Sequence, residues 1–177
     1  MTDFSGQTVL VTGATSGFGE ATARRFASLG ARVIAAGRRT DRLDSLRGEI
    51  GEALHPLPLD VRDSDAVFAA VESLPAAFAE IDVLVNNAGL ARGLGPAHDS
   101  DLDDWIEMVD TNVTGLMVVT RAVLPGMVER GKGHVVNLGS VAGAYPYPGG
   151  NVYGATKAFV HQFSLNLRAD LAGRNVR

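Results

Sequence analysis

The chain has 177 residues, 46% of them hydrophobic, and its 16 basic and 20 acidic residues give a net charge of −4. No apolar run approaches about 18 residues, no basic segment precedes an apolar one at the amino end, and no basic tract occurs. This argues against a membrane span, a secretory signal and a nucleic-acid partner. Having no cysteine, the chain forms no disulfides and uses no thiolate chemistry. We expect one cytoplasmic domain whose partners are small molecules or copies of itself.

A glycine-rich turn lies between the first predicted strand, residues 8–11, and a predicted helix, residues 20–29. The turn reads Thr12-Gly13-Ala14-Thr15-Ser16-Gly17-Phe18-Gly19. Glycines let the backbone approach a pyrophosphate, and the first N–H groups of the following helix attract the anion. An ordinary tight turn is the alternative, but the strand before it and the helix after it favour a dinucleotide site.

The second predicted strand, residues 32–36, ends in Gly37-Arg38-Arg39, about 20 residues beyond the glycines, where an NAD-binding chain usually carries an acidic residue. Arg38 and Arg39 could instead bind the 2′-phosphate of NADP through charge-assisted hydrogen bonds, with Gly37 where an acid would repel the phosphate. The alternative is that both arginines are solvated at the start of the helix predicted at residues 41–50. We predict NADP(H) as the cofactor.

Strands three and four also end in polar residues. Strand three, residues 54–59, runs into Asp60-Val61 before a helix at residues 64–73, and strand four, residues 81–85, ends in Asn86-Asn87-Ala88-Gly89. Because ligands of such strand–helix chains bind beyond the carboxyl ends of the strands, these residues lie on the ligand side. Turn chemistry is the alternative, since Asn, Asp and Gly are common wherever strands stop.

A long helical pattern covers residues 101–127, after a loop at residues 90–100. Asp110 and Asn112 interrupt it, and polar residues at such positions usually face solvent or bond the backbone one turn back. Pro125 should end or kink this helix. Strand five, residues 134–138, then leads to Ser140 and to a loop at residues 141–150 that is rich in Gly, Pro and Tyr.

The last predicted helix, residues 151–172, carries Tyr153 and Lys157 four residues apart on one face. An ammonium beside a tyrosine favours the phenolate by charge, so Tyr153 is a candidate for proton transfer. A solvated lysine beside a half-buried ring is the alternative when the pair is taken alone. The helix is apolar nearly all round, which predicts a homo-oligomer formed through residues 101–127 and 151–172, unless further sequence covers it.

Three motifs together resemble the short-chain dehydrogenase/reductase family: Thr-Gly-x-x-x-Gly-x-Gly from Thr12, Asn-Asn-Ala-Gly from Asn86 and Tyr-x-x-x-Lys from Tyr153. The resemblance covers the first five strands of the family. It implies an α/β fold, a Rossmann-like doubly wound parallel sheet with strand order 3-2-1-4-5 and its later strands missing. Several stretches, such as Gly-Gly-Asn-Val-Tyr-Gly-Ala-Thr-Lys, further resemble the bacterial NADP-dependent 3-hydroxy acid dehydrogenases, which act on serine, allo-threonine and 3-hydroxypropionate and reduce malonic semialdehyde.

The resemblance implies two sets of site residues and no metal. The catalytic set is Asn112, Ser140, Tyr153 and Lys157. The cofactor-binding set is Gly13, Thr15, Ser16, Gly17, Phe18, Gly19, Arg38, Arg39, Asp60, Val61, Asn87, Ala88, Gly89, Tyr153 and Lys157. In the family, the tyrosine exchanges the proton, the serine bonds the reacting oxygen and the lysine holds the nicotinamide ribose.

The resemblance further implies an NADP-dependent oxidoreductase and a homotetramer. Two rival functions stay open: a reductase of another ketone or aldehyde, and a dinucleotide-binding scaffold without turnover. Gly173 should end the last helix, and residues 175–177 should begin a sixth strand. We therefore expect a fragment of a longer enzyme, one that binds NADP weakly and does not turn over by itself.

Overall fold

Five parallel strands form one sheet in the computed structural model, which describes residues 3–93 and 95–177. The strands are β1 (Thr8–Thr12), β2 (Arg32–Gly37), β3 (Leu54–Pro58), β4 (Val83–Asn86) and β5 (His134–Asn137), each within two residues of its predicted segment. Their order is β3-β2-β1-β4-β5, so the predicted fold class and strand order are confirmed. Positions 1, 2 and 94 lie outside the described residues, and position 94 belongs to the predicted loop 90–100.

Helices cover both faces of the sheet. They are α1 (Gly17–Ser28), α2 (Thr40–Ile50), α3 (Ser64–Glu72), α4 (Leu102–Val109), α5 (Leu116–Arg130) and α6 (Asn151–Asp170). Successive side chains of a strand point to opposite faces. Val9 and Val11 of β1 therefore pack in the core under α1 and α2, while Leu10 packs in the core under α3 and α5. Burial on both faces accounts for the unbroken apolar run of this strand.

The segment from Leu102 to Arg130 is one helical run, in which a π-helical turn (Asp110–Gly115) joins α4 to α5. By length and composition alone this run would suffice to cross a membrane, but α5 packs on the sheet as a core helix does. The α5 residues buried in the core that α3 and α5 form with the sheet are Val119, Val123 and Met127. Pro125 lies inside α5, so the helix does not end there. The carbonyl that this proline leaves unpaired belongs to Arg121, which is exposed.

Residues 176 and 177 extend the sheet beside β5. Val176 pairs in parallel with Gly133, the N–H of Val135 donates to the carbonyl of Arg177 at 2.7 Å, and the N–H of Arg177 donates to the carbonyl of Gly133 at 3.0 Å. A single parallel bridge therefore stands where a sixth strand is predicted to begin.

Candidate active site

The loops at the carboxyl ends of the strands enclose a cleft of about 690 Å³. Arg38 and Arg39, which follow β2, lie on one side of the central strand β1, and Ser140, Tyr153 and Lys157 line the cleft on the side of β5. Of the predicted site residues, those that do not line the cleft are Gly17, Gly19 and Asn112. Lining residues outside the predicted set are Gly37, Leu59, Leu90, Ala91, Thr111, Leu138 and Gly139.

The glycine-rich turn folds back tightly on itself. α1 begins at Gly17 rather than at the predicted residue 20, with Ser16 as its extended N-cap. A Cβ on Gly19 would lie 2.3 Å from the carbonyl oxygen of Gly13 and 2.4 Å from Nδ2 of Asn87, so no side chain fits there. Gly19 therefore lets the start of α1 approach the end of β1, and this close approach sets the shape of the turn.

Thr12 and Asn87 tie the ends of β1 and β4 together. Asn87 Nδ2 donates to the carbonyl of Thr12 at 2.8 Å, and Thr12 Oγ1 accepts the N–H groups of Asn87 at 3.1 Å and Ala88 at 3.0 Å. Both residues belong to motifs of the sequence, but only the structure shows that they bond to each other. The pairing fixes the loop 87–89 at the centre of the cleft.

The arginines after β2 differ in their contacts. The Arg39 guanidinium donates to Thr15 Oγ1 at 2.9 Å and to its carbonyl at 3.0 Å, which holds it against the glycine-rich turn. The Arg38 side chain is 55% exposed and lies 4.0 Å from the Asp60 carboxylate. Both arginines thus line the cleft, and the alternative that they are merely solvated does not describe Arg39.

Asp60 lines the cleft and forms part of a chain of ion pairs that reaches α4. Arg62 donates to its carboxylate at 2.6 Å and reaches Glu107 of α4 at 3.3 Å, and Glu107 also pairs with Arg92 at 2.5 Å. The hydrogen bonds from Arg62, helped by the charge of Arg38, hold the pKa of Asp60 below its usual range against the opposing effect of burial. The carboxylate therefore stays ionised.

Lys157 is fixed at the end of β5. Its Nζ donates to the carbonyl of Leu138 at 2.8 Å and lies 5.9 Å from the centroid of the Tyr153 ring. The side chain is buried, and this burial lowers the pKa of Lys157 from its ordinary value. The ammonium thus stands beside the tyrosine as predicted, in a buried position rather than a solvated one.

Asn112 lies in the π-helical turn and is 1% exposed. Its Oδ1 accepts the N–H of Leu90 at 2.8 Å, and its Nδ2 donates to the carbonyl of Leu90 at 2.8 Å and to Thr156 Oγ1 at 3.1 Å. A Cβ on Gly89 would lie 3.1 Å from Asn112 Oδ1 and 3.6 Å from Lys157 Nζ, so both side chains lie next to Gly89. Asn112 does not line the cleft itself, but it holds the backbone of Leu90, which does.

Ser140 opens the short helical turn Val141–Gly143, where its Oγ accepts the N–H of Ala142 at 3.2 Å. This turn packs closely on α6, because a Cβ on Gly154 would lie 2.9 Å from the carbonyl oxygen of Ala142. This contact places Ser140 near the first turn of α6, which carries Tyr153.

Comparison of the sequence with known proteins identifies the family of the chain. The profile of the short-chain dehydrogenase family matches residues 7–177. The chain belongs to this family. It is 62% identical over 169 residues to the NADP-dependent 3-hydroxy acid dehydrogenase YdfG of Salmonella typhi, and 57% identical over 170 residues to the serine 3-dehydrogenase of Agrobacterium fabrum. Each match covers 96% of this chain and 68% of the relative.

Solved structures of the short-chain dehydrogenase family agree. A crystal structure of serine dehydrogenase from Escherichia coli, 60% identical, superposes with a TM-score of 0.95 over 97% of this chain and 79% of that one. A closed form of serine dehydrogenase complexed with NADP+, also 60% identical, gives 0.96 over 97% and 69%. The predicted family is confirmed, and the names of these relatives agree with the predicted cofactor and reaction class.

Within this short-chain dehydrogenase, three groups that complete the site carry no recognisable sequence signal. They are the Leu138 carbonyl that fixes Lys157, the Leu90 backbone that holds Asn112, and Thr156, which bonds both Asn112 and the carbonyl of Tyr153. A backbone group has no side-chain signature, and a threonine next to a lysine in an apolar helix has no pattern of its own.

Proposed function

We propose that the chain is the nucleotide-binding and catalytic domain of an NADP(H)-dependent dehydrogenase acting on a small 3-hydroxy acid, such as serine, allo-threonine or 3-hydroxypropionate, or on its carbonyl form. The observation that carries the proposal is that Lys157 and Asn112 both lie next to Gly89, with Tyr153 and Ser140 lining the same cleft. Relatives with 57% and 62% identity support the cofactor and the substrate class by their names. We place the reaction in the cytoplasm, where NADP(H) and small hydroxy acids are dissolved.

The cleft residues suit an extended dinucleotide. Ser16 makes no side-chain cap bond, so its hydroxyl and the first N–H groups of the 12-residue α1 can face a pyrophosphate. Arg38 and Arg39 suit a 2′-phosphate, because guanidinium groups bind phosphate with charge-assisted bonds. Lys157 at the far end suits a ribose hydroxyl. The fit thus extends along the whole cleft.

The roles of the catalytic residues follow from their chemistry. Bound NADP(H) would accept or supply the hydride. Tyr153 would give its phenolic proton to the carbonyl oxygen in reduction and take it back in oxidation. Ser140 would hold that oxygen through a hydrogen bond. Lys157, fixed by the Leu138 carbonyl, would place a positive charge where the phenolate forms.

The function is tested with two proteins. One is the 177-residue chain, and the other, called the extended enzyme below, adds the residues of the Escherichia coli serine dehydrogenase that follow the part matching this chain. We expect both to bind NADPH and only the extended enzyme to oxidise it steadily with malonic semialdehyde. A panel of ketones serves as the control, since better turnover of another ketone would favour the rival reductase. Binding without turnover on any substrate would favour the scaffold.

Replacing both Arg38 and Arg39 with alanine should reduce the preference for NADPH over NADH in kcat/KM by at least about tenfold, because each charge-assisted hydrogen bond contributes about 1.5–3 kcal/mol. The ratio is measured in the extended enzyme. Arg42→Ala is the matched control, because Arg42 is a neighbouring exposed arginine that pairs with Asp41. An unchanged ratio in the double variant would remove the arginines from the phosphate site.

We also propose that the chain assembles as a homodimer, within a homotetramer, through α4, α5 and α6. Ile106 is 49% exposed and Leu165 is 47% exposed, and the rings of Phe159 and Phe163 stack at 5.5 Å on the same helix as Leu165. Apolar surface of this kind on adjacent helices supports a symmetric interface.

The assembly prediction is tested by light scattering. Changing Ile106 and Leu165 together to glutamate should convert the oligomer to a monomer at micromolar protein, because burying the new charges opposes association. Phe68→Glu, an exposed apolar position on α3, is the control and should leave the mass unchanged. A monomeric parent protein would contradict the proposal.

A further inference from the structure

A pair of asparagines joins β4 and β5 at the end of the strands next to the cleft. Asn86 and Asn137 are the last residues of the two strands and are partners in the parallel register. Asn86 Nδ2 donates to Asn137 Oδ1 at 2.9 Å. The next residue, Leu138, provides the carbonyl that accepts the Lys157 ammonium. The pair is therefore adjacent to a contact that fixes a catalytic side chain.

Each asparagine of the pair is also bonded to a helix. Asn86 Nδ2 donates to Thr120 Oγ1 of α5 at 2.9 Å, and Asn137 Nδ2 donates to Ser164 Oγ of α6 at 2.9 Å. Both hydroxyl groups in turn donate, at 2.7 Å, to the carbonyl four residues back on their own helix. These four residues, called the polar layer below, connect α5, the two strands and α6. The two ends of the layer have the same hydrogen-bond chemistry.

Ser164 lies on the face of α6 that carries the catalytic groups. Lys157 and Ser164 are seven residues apart, close to two helical turns, and Tyr153 lies one turn before Lys157 on the same face. The consecutive residues Asn137 and Leu138 hold this face at two points, Ser164 and Lys157. Because the backbones of these points are about 10 Å apart along the helix, the two bonds restrict both sliding and rotation of α6 on the sheet.

We propose that Asn137 and Ser164 are positioning residues for catalysis, which fix α6 on the sheet and thereby set the places of Tyr153 and Lys157 in the cleft. The inference rests on the proposed function, in which Tyr153 transfers the proton. Asn137 and Ser164 lie outside the set of residues that line the cleft, so they act through the helix rather than on a ligand. Thr120 holds α5, which carries none of the predicted catalytic residues.

Ser164→Ala removes the end of the polar layer that holds α6, and Thr120→Val removes the end that holds α5. In the extended enzyme we expect kcat with malonic semialdehyde to fall at least about fivefold in Ser164→Ala, because a small displacement of the proton donor slows the transfer. Thr120→Val should keep kcat within about twofold of the parent. Ser164→Thr retains the hydroxyl and should also keep kcat within about twofold, since a threonine makes the same bonds at position 120.

The thermal unfolding midpoint distinguishes positioning from stability. Each variant loses one donated and one accepted hydrogen bond, so both should lower the midpoint by about 2–4 °C. Thr120 is 2% exposed and Ser164 is only half-buried, so a loss of kcat through weaker folding alone would be at least as large in Thr120→Val. Equal losses of kcat in the two variants, or no loss in Ser164→Ala, would overturn the inference.

The hold on Lys157 is also measured without turnover, because the sequence contains two lysines, Lys132 and Lys157. Lys132, whose side chain is 62% exposed, serves as the internal standard for acylation by acetic anhydride, followed by mass spectrometry. In the 177-residue chain we expect the acylation rate of Lys157 relative to that of Lys132 to rise at least about threefold in Ser164→Ala and to stay unchanged in Thr120→Val, because only the first variant loosens the contact at Lys157.

An unchanged acylation ratio in Ser164→Ala would contradict the inference even if kcat fell. If the parent extended enzyme turns over no substrate, the proposed function fails and the catalytic role of the polar layer fails with it. The acylation ratio would still show, in that case, whether Ser164 holds the helix that carries Lys157.

Discussion

Tyr153→Phe should abolish NADPH-dependent turnover in the extended enzyme, with kcat falling at least about a hundredfold, while NADPH still binds within about twofold of the parent affinity. The phenylalanine ring fills the same space at the first turn of α6 but has no proton to transfer. A loss confined to kcat identifies a group that acts in the transition state rather than in ground-state binding. Turnover is followed by NADPH absorbance and binding by fluorescence.

Tyr147→Phe is the control for the loss of a phenol near the site. Tyr147 is 41% exposed, and its ring packs against Gly150 in the loop before α6. We expect this variant to keep its turnover, because a surface phenol in that loop has no reacting proton to supply. Substantial activity in Tyr153→Phe would instead assign the proton transfer to another residue.

The positions of the strands along the chain could be predicted because they depend on local patterns, whereas their order in the sheet was implied by the resemblance to the family. Val83, Leu84 and Val85 form an apolar run because both faces of β4 are covered, and such runs mark buried parallel strands. The predicted start of α1 at residue 20 is wrong by three residues, because glycines interrupt helical periodicity and the helix begins at Gly17. The motifs after the strands fell on the ligand side because parallel strands end at one edge.

The support behind the motifs could not be predicted, because it consists of contacts distant in sequence. Asn112 pairs with the Leu90 backbone 22 residues away, and no local pattern distinguishes this from a solvated asparagine. Lys157 bonds a carbonyl 19 residues back, at Leu138. The sequence therefore indicates which residues gather at the cleft, whereas their hydrogen-bond partners depend on how the strands and helices pack.

A side chain at position 37 would change the packing of the glycine-rich turn as well as the charge near the cofactor phosphate. The missing acid after β2 favours a 2′-phosphate by charge, but a Cβ at position 37 would also lie 2.7 Å from Thr15 Cγ2. Thr15 is held in turn by the Arg39 guanidinium. An aspartate introduced there would displace Thr15 along with adding charge, and we expect it to weaken the binding of both cofactors. The arginine variants therefore test cofactor preference more cleanly.

Lys157→Met should have an effect on turnover comparable to that of Tyr153→Phe, together with weaker cofactor binding. Methionine keeps the length of the buried side chain but removes the charge beside Tyr153 and the donor to the Leu138 carbonyl. We expect kcat in the extended enzyme to fall at least about a hundredfold and the NADPH Kd to rise about tenfold. Lys132→Met is the control, because Lys132 is an exposed lysine paired with Asp82 at the opposite end of the sheet, and its loss should leave turnover unchanged.

The pH dependence of stability tests the burial of Lys157 independently of turnover. Because burial lowers its pKa in the folded chain from the ordinary 10.5, the unfolded chain holds more protons than the folded one between the two pKa values. The parent therefore gains stability as the pH rises from the lowered pKa towards 10.5, whereas Lys157→Met lacks this contribution. The unfolding free energy of the variant minus that of the parent should thus decrease over that range. A difference that stays constant with pH would mean that the ammonium is as well solvated in the fold as in the unfolded chain.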